Sequence, residues 1–154
     1  MLSYFTNNAD HASSFVAKYR RPCPWFELVE ASQLESLAYS MSRRLRLAPL
    51  SGDLHAVCHA AASRMQFERP GPNQQKIDDD VEPLSAIVAR CGIDSNSTAY
   101  YATLSAPIVV HVRLRDLVEC EELLWREDHF LIGVEGDWIV YGSHNTLAGF
   151  VRLS

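Results

Sequence analysis

The chain has 154 residues, 47% of them hydrophobic and 21% charged, which suits one globular domain and excludes a disordered or fibrous chain. Its net charge of −5 is uneven: residues 1–77 carry net +3 and residues 78–154 net −8, so the acidic half is ill suited to binding phosphates and nucleic acid is an unfavoured partner. Apolar runs such as Ala106 to Val110 are a strand's length, far short of the about 20 residues that span a bilayer; with no basic leader before an apolar stretch, the sequence predicts a cytoplasmic protein and no membrane partner.

A first helix is predicted over about Ala9 to Tyr19, with Phe15, Val16 and Tyr19 facing a core and Pro22 preventing continuation. The FELVE segment after Pro24 reads as extended. Ser32-Gln33-Leu34-Glu35 is a capping-box pattern, and Leu34, Leu37, Ala38, Met41 and Leu45 form the apolar stripe of a second helix, leaving Arg43, Arg44 and Arg46 largely outside it. Pro49 to Gly52 is a turn, and Asp53 should cap a third helix that buries Leu54, Val57, Cys58, Ala61 and Met65.

Phe67 to Pro83 is the clearest loop, rich in Pro, Gly, Asn and charge. Pro83 then fits the first position of a fourth helix that buries Leu84, Ile87, Val88 and Cys91 and stops at Gly92. A short helix is assigned near Thr98 to Leu104. From Ile108 the apolar period changes to two: Ile108, Val110, Val112 and Leu114 share one face of a strand, opposite Val109, His111 and Arg113. Asp116 caps a fifth helix to about Arg126, and HFLIGVE, WIVYGSH and LAGFVRL form a closing meander with turns at Gly136-Asp137 and Asn145-Thr146. The expected fold is α+β: four or five helices on one face of a three- to four-stranded, mainly antiparallel sheet. Residues 1–154 are read as a single domain, helical to about residue 105 and strand-helix-meander from about 106.

Several constellations suggest chemistry. Cys58 within a helix and His129 at the start of a strand follow the order of nucleophile and base in papain-like cysteine hydrolases. However, Cys58 lies on the apolar stripe, a full turn inside its helix, where a thiol is not activated. Positions for an orienting Asp or Asn on the next strand hold Val140, Tyr141 and Gly142. His55 and His59, four residues apart, can present two metal ligands on one helix face, without the Glu of an HExxH motif or a fixed third ligand. The four cysteines, Cys23, Cys58, Cys91 and Cys120, form no CxxC pair and read as buried thiols. Phosphate-cradling and nucleophile-elbow motifs are missing from the sequence, and no cofactor is expected.

The tail LWREDHFLIGVEGDWIVYGSHNTLAGF, with Trp125, Asp128, Gly136, Asp137, Trp138, Tyr141, Ser143 and His144, resembles the closing hairpin of small bacterial immunity-type proteins. The resemblance covers about 30 residues, and implies a non-enzymatic protein that neutralises a toxin by occluding it. An acidic face would suit a basic protein partner. Asp78, Asp79, Asp80 and Glu82 in the long loop, with Asp137 and His144, are the expected partner-binding residues. A solvated acidic surface and core-anchoring tryptophans are the plainer alternatives for these residues. A small-ligand binder with an apolar cleft between helices and sheet, and a homodimer, are also compatible with the sequence.

Overall fold

The computed structural model describes residues 5, 10, 13–14, 17–18, 26–77, 83–104, 108–119, 128–142 and 148–153. Of the expected first helix, Asp10, Ser13, Ser14, Ala17 and Lys18 are helical and exposed, while Phe15, Val16 and Tyr19 lie outside the described residues.

Among the described residues seven strands form one antiparallel sheet. They are β1 (Phe26–Leu28), β2 (Gln74–Ile77), β3 (Thr98–Thr103), β4 (Ile108–Arg113), β5 (His129–Gly133), β6 (Trp138–Gly142) and β7 (Ala148–Arg152), in the order β1-β4-β3-β5-β6-β7-β2. The helices with every residue described are α1 (Ala31–Leu45), α2 (Leu54–Ser63), α3 (Leu84–Arg90) and α4 (Leu114–Glu119). The α+β class and the meander of β5, β6 and β7 agree with expectation, but the sheet is larger than predicted. Thr98 to Leu104 is not a helix. Four of the six residues of β3 are Thr or Tyr, which favour strands, and it pairs on both sides, with β4 and β5, which places β3 inside the sheet. The strand β2 falls within the expected loop and gains its pairing from β7.

Helices cover both faces of the sheet, not one. On the first face α1 and α2 bury Leu37, Met41, Leu54, Val57 and Cys58 against Ala102, Val109, Phe130, Ile132, Ile139 and Val151. On the second, α3 and α4 bury Leu84, Ile87, Leu114 and Leu117 against Tyr101, Val110, Leu131, Val140 and Phe150. The reason is visible in β5, whose five residues are all buried: a central strand apolar on both parities needs a helical layer on each side.

Helix ends follow local chemistry with two exceptions. Asp116 does not cap α4, which begins two residues earlier at Leu114 and holds Asp116 in its first turn; the expected continuation of that helix to Arg126 and the expected turn at Asn145-Thr146 lie outside the described residues. Asp53 caps α2 by accepting a hydrogen bond from the His55 amide at 3.1 Å, as predicted. Gly92, at φ +70°, ends α3 in the left-handed region, and Pro83 sits one position earlier than expected, at the N-cap. The capping box is not used: α1 begins at Ala31, its N-cap is Glu30, and no side chain caps it. No helix among the described residues is long and apolar enough to cross a membrane.

Candidate functional site

The register of the sheet decides the relation between Cys58 and His129. Along β5, Phe130 and Ile132 pack with α1 and α2, whereas Leu131 packs in the opposite layer. Strand alternation puts His129 with Leu131, and its ring lies 5.9 Å from that of Tyr101, a member of the same layer. Cys58 is fully buried on the α1/α2 side. The sheet therefore stands between thiol and imidazole, and the hydrolase pair is not assembled. Burial, reinforced by the Asp53 carboxylate, also pushes the Cys58 thiol far up, away from the thiolate a nucleophile requires. Of the four cysteines, Cys58 and Cys91 are free and buried, and Cys23 and Cys120 lie outside the described residues.

His55 and His59 do converge. Their Nε2 atoms are 3.1 Å apart on the outer side of α2, with ring centroids 4.4 Å apart and planes at 70°. The His55 ring meets Phe5 edge-on at 5.7 Å, and the His59 ring meets Phe130 at 5.4 Å. Partial burial, then the neighbouring His59, lower the proton affinity of His55, while Asp53 acts the other way. Among the described residues no group of three or more ligating side chains gathers.

Asp137 is half-buried in the turn between β5 and β6. Its carboxylate folds back over its own turn: a Cβ added at Gly133 would stand 2.7 Å from Asp137 Oδ1. Its carbonyl accepts a hydrogen bond from the Leu153 amide at 2.7 Å. Asp78, Asp79, Asp80, Glu82 and His144 lie outside the described residues.

Two clefts open on the described surface. The larger, about 360 Å³, runs between the N-terminal half of α1 and the β5–β6 turn, lined by Ser32, Gln33, Ser36, Leu37, Ser40, Tyr100, Val134 and Glu135. The spacing that puts Leu34, Leu37, Ala38 and Met41 in the core puts Ser32, Ser36 and Ser40 along one neighbouring stripe. Gly136 holds the opposite wall close. It adopts φ +68°, and an added Cβ would meet Met41 Cγ at 3.0 Å, so only glycine seats the turn against α1 without strain. Val134, at the tip, is 41% exposed beside the exposed Glu135. The i, i+4, i+8 serines were visible in the sequence; the turn that faces them was not.

The second cleft, about 220 Å³, lies where α1 and α2 end, lined by Arg44, Leu45, Arg64, residues 71–74 and 151–153. Arg64 donates to the Leu45 carbonyl at the end of α1. The Arg152 guanidinium reaches the Cys91 carbonyl at 2.9 Å and lies 5.4 Å from the Phe150 ring centroid, which places its charge with the α3 layer and leaves this cleft two arginines. No family model, curated protein or solved structure matches the chain.

Proposed function

We propose that this chain is a non-enzymatic binding protein that recognises another protein through the cleft between α1 and the β5–β6 turn. The observation that carries the reading is the composition of that cleft: hydroxyl and amide groups on one wall, an exposed valine and a carboxylate on the other. Small-ligand pockets enclose most of their ligand's surface, whereas this cleft is open. A groove with Ser32, Gln33, Ser36, Ser40 and Glu135 around Leu37, Tyr100 and Val134 instead matches the apolar centre and polar rim of a protein interface. Glu135 and the net −8 of residues 78–154 favour a basic partner, whose encounter rate such a field raises.

The resemblance of the tail to immunity-type proteins makes a bacterial toxin the partner class to test first. The probe is a toxin domain encoded beside this chain, co-expressed with it. Wild-type chain should bind that domain and protect growth. Val134→Arg combined with Glu135→Arg should weaken binding by at least about tenfold, while Arg69→Glu, an exposed change outside the cleft, should leave it unchanged. Retained binding by the double variant would remove the cleft from the interface; failure of wild-type chain to bind would remove the immunity reading.

A further inference from the structure

The pair His55 and His59 is independent of the cleft and of the partner reading. Two imidazoles that bring Nε2 to within 3.1 Å of each other have two resolutions. One ring donates its N–H to the other's lone pair, or both lone pairs turn to a shared cation. The separation fits the second as well as the first. Zinc and related ions bind imidazole nitrogen at about 2.0–2.1 Å, and two such bonds to nitrogens 3.1 Å apart enclose an angle of about 98°. That angle lies between the right angle of octahedral or square-planar sites and the tetrahedral value, so the spacing of the two nitrogens matches that of two ligands on one ion.

Neighbouring groups hold the rings in this orientation. Phe5, 2% exposed, abuts His55, and Phe130, 3% exposed, abuts His59, each edge-to-face. The Asp53 carboxylate caps the helix at His55 and adds a negative charge near the bound cation. The helix fixes the remaining geometry, because residues four apart stand one above the other on one face. His59 is exposed and His55 half-buried, which gives an ion direct entry from solvent.

We propose that His55 and His59 form a two-imidazole chelate for a borderline divalent transition-metal ion, of the class of Zn²⁺, Co²⁺ or Ni²⁺. Water fills the remaining coordination positions. Imidazole ligands select these ions over Mg²⁺ and Ca²⁺, which take oxygen donors. With two protein ligands the site is open, so the bound ion can accept a further donor from outside the chain.

The test uses the untagged full chain titrated with Co²⁺ and with Zn²⁺. Binding of Co²⁺ should give a nitrogen/oxygen-type visible spectrum without a thiolate charge-transfer band, and Zn²⁺ should shift the Nε2 resonances of His55 and His59 together. His59→Ala, at an exposed position where the fold is not at risk, should weaken Zn²⁺ binding by at least about tenfold, and His55→Ala should do the same. Mg²⁺ should not compete. Unchanged affinity in His59→Ala, a thiolate band, or Nε2 shifts confined to other histidines would overturn the proposal. The Nε2 measurement decides the matter on wild-type protein even if His55→Ala proves unstable.

Discussion

Burial acts on Cys58 and Tyr141 in the same direction, raising the pKa of each because the charged form loses its water. For Cys58 the consequence is chemical inertness. In the folded chain it should resist iodoacetamide at about pH 8 and be labelled once urea unfolds the protein; native-state labelling of the Cys58 peptide in mass spectra would show that α2 opens. Tyr141 lies across Gly149 of the neighbouring strand, its hydroxyl 3.0 Å from where a Gly149 Cβ would be. That hydroxyl has no hydrogen-bond partner among the described residues, and burial pushes it up to about 12 from 10.0. Between those values the folded chain binds more protons than the unfolded one, so stability present below pH 10.0 is lost as pH rises towards about 12. Tyr141→Phe should flatten that alkaline fall and remove one late-ionising phenolate from an ultraviolet titration. At neutral pH it should cost no more than about 1 kcal/mol, since no hydrogen bond is broken.

At the level of elements, the structure departs from local sequence signals where long-range pairing competes with them. Ser42 illustrates how α1 is tied down. It is fully buried, its Oγ donates to the Ser51 carbonyl at 2.9 Å and accepts from the Ser51 amide at 3.1 Å. It thereby anchors the segment that leads back along α1 to the start of α2. Ser42→Ala strands both Ser51 groups and should destabilise the fold by about 1–3 kcal/mol, read as a lower urea midpoint with unchanged slope. The helices α1, α2 and α3 were legible because their apolar stripes repeat at helical spacing over two or more turns. The start of α1 was not: Ser32 and Glu35 have the pattern of a capping box with Ser32 as N-cap, yet the helix begins two residues earlier, at Ala31 with Glu30 as its N-cap. For β3 the signal is present in the residues themselves, against the helix expected there, since Thr98, Tyr100, Tyr101 and Thr103 all favour strands; β2, QQKI, has little such preference and becomes a strand because β7 supplies a hydrogen-bonding edge. His55 and His59 were legible as neighbours because helical periodicity alone brings them together.

For the whole molecule, the three-layer arrangement predicts where the fold is most persistent. β5 is the middle strand of seven and β1 and β2 are the edges, so amides of β3 and β5 should exchange with deuterium slowest, near the global unfolding limit, and those of β1 and β2 fastest. Uniform protection across the sheet would contradict this. Layering also separates Cys58 from His129, an outcome that no inspection of spacing could reach. Sequence alone determined the α+β class, the closing meander, the buried stripes of α1, α2 and α3 and the histidine pair, because each rests on contacts between residues a few positions apart. Only the tertiary structure decided the sheet's full width, the helical layer on each face, the cleft beside Gly136 and the side of the sheet to which each candidate residue points. Those depend on register between distant strands, where a shift of one residue reverses every side chain.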